Sequence, residues 1–262
     1  MKMIEALERR QLLSAVAVFV PSTSTLFIAY SSDVPSNTLT VTETATRDVN
    51  NNITGNTVTA FDNQGGIDVP IDDGSHPDGV YTNVQHIVLI GANTDDNITY
   101  VGDDLGAAIF GNGGNDNIQV VDGTGQSTVS GGDGNDLIEV GGNSNTIISG
   151  GNGDDTIVLF GSGSGQLIDA NNGNDTIINE GFLQNSTILG GNGNDTIIND
   201  GVLLNDYLNG GNGNDTLINN GVISGGTYNG GNGTDTLQNT VDAVNISGVQ
   251  VLSATLVQNG LA

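Results

Sequence analysis

Eight aspartates recur at an almost constant interval: Asp96, Asp116, Asp136, Asp155, Asp175, Asp195, Asp215 and Asp235. Six steps are of 20 residues and one is of 19. Each aspartate closes a glycine- and asparagine-rich stretch, as in Gly190-Gly191-Asn192-Gly193-Asn194-Asp195 and Gly210-Gly211-Asn212-Gly213-Asn214-Asp215. A fixed period near twenty signals one structural unit stacked on copies of itself, which brings the eight carboxylates into a row. Adjacent coils of a parallel solenoid lie about 4.8 Å apart. Unit charges at that distance repel by about 0.9 kcal/mol in bulk water and several-fold more near a protein surface. The Lys and Arg residues are Lys2, Arg9, Arg10 and Arg47, so no basic side chain lies in the repeat, and the formal net charge is −26. The row therefore calls for a cation. Carboxylate and carbonyl oxygens suit a hard ion, and calcium accepts six to eight of them in flexible geometry, whereas magnesium keeps its waters.

The elements that must position this row are short strands. An apolar residue follows each aspartate by two positions: Ile98, Ile118, Ile138, Ile157, Ile177, Ile197, Leu217 and Leu237. A second column holds Val129, Ile148, Ile168, Ile188, Leu208 and Tyr228. Each coil is predicted to have two strands and two turns, with one buried side chain per column, each contributing about 1.5–3 kcal/mol. The fold class expected is all-β, a right-handed parallel β-roll or β-solenoid with capped ends. Its core is two side chains thick and depends on metal for the rest of its stability.

The turns explain their own composition. Glycine permits positive φ and lets carbonyls curl toward an ion, and asparagine tolerates the left-handed region. The sixth-position aspartate offers two oxygens, one for each of two ions. This glycine–aspartate nonapeptide resembles the repeats-in-toxin family of calcium-binding β-rolls, over residues 91–240. The resemblance implies ions between the turns of successive coils. They would be held by the aspartates and by carbonyls of the first and third residues of one turn and the second and fourth of its neighbour.

Carried onto this chain, the implied metal residues lie in seven turns. They are Gly111, Gly113, Gly114 and Asp116; Gly131, Gly132, Asp133, Gly134 and Asp136; Gly150, Gly151, Asn152, Gly153 and Asp155; and Ala170, Asn172, Gly173 and Asp175. The series continues with Gly190, Gly191, Asn192, Gly193 and Asp195; Gly210, Gly211, Asn212, Gly213 and Asp215; and Gly230, Gly231, Asn232, Gly233 and Asp235. Ala170-Asn171 replaces two glycines, a source of strain in that turn. Gly91-Ala92-Asn93-Thr94-Asp95-Asp96 is degenerate, with Thr94 where a glycine belongs. The opposite turn departs from the family pattern and reads Asn179-Glu180-Gly181-Phe182-Leu183 and its repeats. One row of about six or seven calcium ions is therefore expected, along one edge. Asn179, Asn199 and Asn219 are expected to stack as an amide ladder.

The chain divides into a signal- or sorting-like segment over 1–21, a β-rich cap over 22–85, about eight calcium-binding coils over 86–240, and a closing coil over 241–262. Leu7-Glu8-Arg9-Arg10-Gln11-Leu12-Leu13-Ser14-Ala15 resembles the LEPR-XLL segment of planctomycete surface and secreted proteins, with Arg9 in place of the proline. The apolar run Leu12–Val20 is too short to span a bilayer and has the size of a signal h-region. An uncleaved C-terminal export signal at Ser253–Ala262 is the competing route.

The function expected is that of a secreted or cell-surface structural or adhesive module that folds on binding calcium. The alternatives are an ice- or glycan-binding face of an adhesin, or the non-catalytic roll of a secreted enzyme. Catalysis is not expected, because the chain has two histidines, His76 and His86, no cysteine, no H-E-x-x-H and no G-x-S-x-G. The acidic balance argues against nucleic acid and anionic membranes. Strict alternation turns Val158, Ile178, Ile198 and Ile218 outward, an association face unless the strands bend or the cap covers them.

Overall fold

The computed structural model describes residues 15–30, 38–64, 67–70, 75, 78–121, 125–142, 145–239, 246–247, 250–252 and 254–258. The LEPR-XLL-like stretch, apart from Ala15, and half of the candidate C-terminal signal lie outside them.

The described residues form strands and turns only, in a parallel β-solenoid of about seven coils, each about 20 residues long. Two long sheets run the length of the molecule, one of 11 strands and one of 13. The register is in phase from coil to coil: Ile118 lies between Ile98 and Ile138, and Ile197 between Ile177 and Leu217. Both predicted columns are buried, from Ile98 to Leu237 in the 13-stranded sheet and from Val129 to Tyr228 in the 11-stranded one. Leu89 and Ile109 extend the second column toward the N-terminus.

The two-strand coil is corrected to three. A 5-stranded sheet joins Ser162–Ser164, Phe182–Gln184, Val202–Leu204, Val222–Ser224 and Ile246–Ser247. Its inward column is Gly163, Leu183, Leu203 and Ile223, of which the last three are buried hydrophobics. The stretch read as a second turn therefore contributes a third apolar side chain to the coils that carry Leu183, Leu203 and Ile223. Where this sheet begins, the column Tyr100, Val120, Val140 and Leu159 changes to Asn179, Asn199, Asn219 and Asn239. The buried amides line the new corner. Asn179 donates to the Asn199 Oδ1 at 2.8 Å, Asn199 to Asn219 at 2.7 Å and Asn219 to Asn239 at 2.8 Å. The expected ladder is present, with Asn239 as a fourth member.

Two hairpins close the N-terminal end. β1 (Ala15–Val20) pairs antiparallel with β2 (Thr25–Tyr30), and β2 runs parallel to His86–Ile90. β3 (Thr38–Arg47) runs parallel to Asn97–Val101 and pairs antiparallel with β4 (Ile53–Gln64). Leu39 and Val41 lie over Ile98 and Tyr100 and continue the core. The β1–β2 hairpin crosses the boundary predicted at 21/22. At the other end Ile246–Ser247, Gln250–Leu252 and Ala254–Gln258 add one parallel strand to each sheet. Val158, Ile178, Ile198 and Ile218 form an outward row, half-buried against one another. No helix of the described residues is long and apolar enough to cross a membrane.

Candidate cation row

Stacking in register places each sixth-position aspartate directly over the next. All eight are buried, at 1–3 % exposure. The Oδ1 of Asp116 accepts the backbone N–H of Asp96 at 2.8 Å, and the pattern continues, Asp136 from Asp116 at 2.7 Å, Asp155 from Asp136 at 2.8 Å and Asp175 from Asp155 at 2.7 Å. Asp195, Asp215 and Asp235 accept in the same way from Asp175, Asp195 and Asp215 at 2.9, 2.8 and 2.9 Å. One oxygen of each of these seven carboxylates is thus committed to holding the preceding turn.

The other oxygen has no donor. The Oδ2 atoms of Asp116, Asp136, Asp155, Asp175, Asp195, Asp215 and Asp235 are buried and unpartnered. Five of them, those of Asp116, Asp136, Asp155, Asp195 and Asp215, converge with a carbonyl of the next coil. A methyl placed on Gly131 would lie 2.1 Å from the Asp136 Oδ2 and 2.7 Å from the Gly150 carbonyl oxygen. At Gly111, Gly150, Gly190 and Gly210 the same pair, the aspartate Oδ2 and the following carbonyl, lies 2.2–2.7 Å from the methyl position. Paired acceptors with no proton between them are electrostatically unfavourable in a dry site. The oxygen-only donor set and the shape of the cradle fit a hard cation. No three acidic or imidazole side chains gather at one point among the described residues, so carbonyls must complete any coordination sphere.

The electrostatics agree. Burial, opposed by the backbone N–H bonds and reinforced by neighbouring carboxylates, pushes Asp116, Asp155 and Asp175 up to about 7. Burial likewise raises Asp136 and Asp195 to about 6, and Asp96 and Asp215 above the ordinary carboxylate range. The ion pair found among the described residues, Arg47 with Asp104, lies at the N-terminal cap.

The glycines are dictated by backbone proximity. Gly211 has φ 113°, and a methyl there would lie 2.0 Å from the Gly191 carbonyl oxygen. Gly213 has φ 138°, with the Gly193 carbonyl oxygen 1.6 Å from the methyl position. Asn112 and Asn171 take the second turn position at φ 77° and 75°, values asparagine tolerates. Ala170 is fully buried and sets a methyl where the other coils have none. Asp96 sits differently: its Oδ2 accepts the Ala92 N–H at 2.6 Å and its Oδ1 is the orphan.

Sequence reasoning missed the fifth turn position. The Oδ1 of Asn115 accepts the Asn135 N–H at 2.7 Å, that of Asp154 the Asn174 N–H at 2.7 Å, and that of Asn194 the Asn214 N–H at 2.7 Å. Side-chain bonds thus tie each turn to both neighbours, forward from the fifth residue and backward from the sixth. The signal was in the sequence, since Asn or Asp fills that place in every turn from Asp95 to Asn214.

A scan of the chain against protein-family models gives no match, and a search of curated proteins gives none either.

Proposed function

We propose that this chain is a calcium-folded β-roll of the repeats-in-toxin type with a structural or adhesive role outside the cell. The observation that carries the reading is the row of seven buried, donorless Oδ2 atoms, five of them meeting a carbonyl of the next coil. Calcium bound there supplies the positive charge that the repeat itself lacks. The residues that would hold it are the sixth-position aspartates together with turn carbonyls such as those of Gly131, Gly150, Gly210 and Gly230. The eight turns enclose seven spaces, and the degenerate Asp96 turn leaves six or seven of them suited to an ion.

Folding and location are then linked. At low intracellular calcium the bare carboxylates oppose the compact state. Extracellular calcium is at or above the dissociation constants of extracellular sites, about 10⁻⁴–10⁻³ M, and binding to the folded state alone stabilises it by mass action. Equilibrium dialysis against calcium, with the metal counted by atomic emission, tests the reading. Six or seven ions per chain are expected, and none or one contradicts it.

A further inference from the structure

A trough on the outer face of the 11-stranded sheet lies beside the carboxylate row and shares with it the second- and third-position turn residues, whose side chains, unlike their carbonyls, are not called on by a bound ion. It runs along the solenoid axis beside the turns and has a volume of about 720 Å³. Its floor is Gly191, Gly211 and Gly231. These positions must stay bare, because φ is 113°, 113° and 102° and a methyl would lie 2.0–2.1 Å from the preceding coil's carbonyl oxygen. In the coil before, Asn171 occupies the equivalent place. Its Nδ2 donates to the Ser149 Oγ at 2.8 Å and to the Asp169 carbonyl at 2.9 Å, and its side chain bounds the trough at that end.

One wall is a row of amides. On one side Asn192 donates to the Asn172 Oδ1 at 2.8 Å, Asn212 to Asn192 at 2.7 Å and Asn232 to Asn212 at 2.7 Å. An amide has two N–H donors and two acceptor lone pairs, and the ladder uses one of each, so every rung keeps a donor and an acceptor. On the other side the column runs Asp169, Leu189, Asn209 and Asn229, so the amides stand in its last two coils, and the Asn209 Oδ1 is buried without a donor. Tyr207, 39 % exposed, projects from the same outer face two residues before Asn209. The lining has one carboxylate, Asp169, and no cationic side chain.

Paired donors and acceptors repeating about every 4.8 Å along a straight, side-chain-free floor match an extended chain dense in hydroxyls. The strongly negative molecule disfavours a polyanion. A tyrosine at the margin offers an apolar face with a polar tip, suited to a sugar ring. We infer that this trough binds a neutral polysaccharide lying along the solenoid axis. The inference deepens the adhesive part of the proposed function and rests on it.

Affinity electrophoresis of the whole chain in calcium tests this, through native gels containing dextran, glucomannan or laminarin, with alginate as the polyanion. Retardation is expected in at least one neutral gel and not in alginate. The double variant N209L/N229L is expected to weaken binding by about tenfold for each lost hydrogen-bonding amide, while its calcium-dependent circular dichroism stays that of the wild type. If that variant does not fold, Tyr207→Ala, which alters an outward side chain alone, is expected to reduce the retardation several-fold. Thr196→Ala, on the other long sheet, is expected to leave it unchanged. Normal mobility in all three neutral gels, retardation in alginate alone, or retardation that neither trough variant reduces overturns the inference. Circular dichroism of the same samples separates the two readings. A calcium-folded chain that migrates freely sinks the trough alone, and a retarded chain that is folded without calcium sinks the calcium reading alone.

Discussion

The Oδ1 of Asp195 accepts the backbone N–H of Asp175 at 2.9 Å, while the Oδ2 of the same carboxylate is buried with no donor at all. One side chain thus serves the fold with one oxygen and leaves the other exposed only to a carbonyl, that of Gly210. Replacing it separates the two roles. Asp195→Asn keeps an oxygen for the Asp175 N–H and turns an N–H toward the Gly210 carbonyl. In chelator the variant should melt higher than the wild type, and in millimolar calcium lower. A shift of about 1–3 kcal/mol is expected in each direction, the size of a buried unsatisfied polar group. Thermal melts followed by circular dichroism in both conditions provide the check. A variant that is less stable in both would assign the carboxylate a purely structural role.

Acid should substitute in part for metal. Asp116, Asp155 and Asp175 are raised to about 7 and Asp136 and Asp195 to about 6, from 3.8 in the unfolded chain, so the folded state binds more protons between those values. The stability these groups contribute is fully present below pH 3.8 and is lost as pH rises through 6–7. In chelator the roll should therefore be most stable near the acid end of this window and lose strand structure by about pH 8. In calcium the dependence reverses, because protons compete with the ion and calcium affinity climbs over the same range. Melting temperature against pH, with and without chelator, measures both slopes, and parallel slopes would contradict the account.

Two glycines of the turns separate steric necessity from mere preference. Gly211→Ala puts a methyl 2.0 Å from the Gly191 carbonyl oxygen at φ 113°. It should cost more than about 2 kcal/mol or prevent folding. At Gly113 the nearest atom to a methyl is 3.7 Å away, and φ lies outside the left-handed region. Gly113→Ala should stay within about 0.5 kcal/mol of wild type. Urea unfolding of the calcium-loaded proteins compares the two.

The asparagine corner should behave as one unit. Asn199→Leu removes the hydrogen bond that the Asn179 amide donates at 2.8 Å and the one that the Asn219 oxygen accepts at 2.7 Å. A loss of about 0.5–1.5 kcal/mol is expected for each hydrogen bond removed. Leu159 holds the same column one coil earlier, so the site accepts an aliphatic side chain. Converting Asn179, Asn199 and Asn219 to leucine together should therefore cost less than the sum of the three single changes. Denaturant unfolding of the four proteins tests this, and strict additivity would show that the amides act independently.

The stacked repeat was legible because its period rests on chemically costly residues. A buried aspartate every twenty residues, with an apolar residue two places on, has no common alternative meaning, and Ile98 through Leu237 fall where the sequence puts them. The third sheet was not legible. Leu183, Leu203 and Ile223 are single inward residues in three-residue strands, flanked by Gly181, Gly201 and Gly221, too short for alternation to emerge from turn composition. The Oδ2 orphans could not be read either, since only the register reveals that each Oδ1 is already taken. Asn115, Asn135 and Asn194 sit at exposed turn positions, yet their oxygens tie one coil to the next.

The central claim is that a cation completes the carboxylate row and thereby folds the roll. A calcium titration of the chelated chain at pH 8, followed by circular dichroism with magnesium in parallel, tests it most directly. The account predicts a cooperative coil-to-strand transition at about 10⁻⁴–10⁻³ M calcium, the range of extracellular sites, and none with magnesium. A strand spectrum already complete in chelator and unmoved by calcium would contradict it.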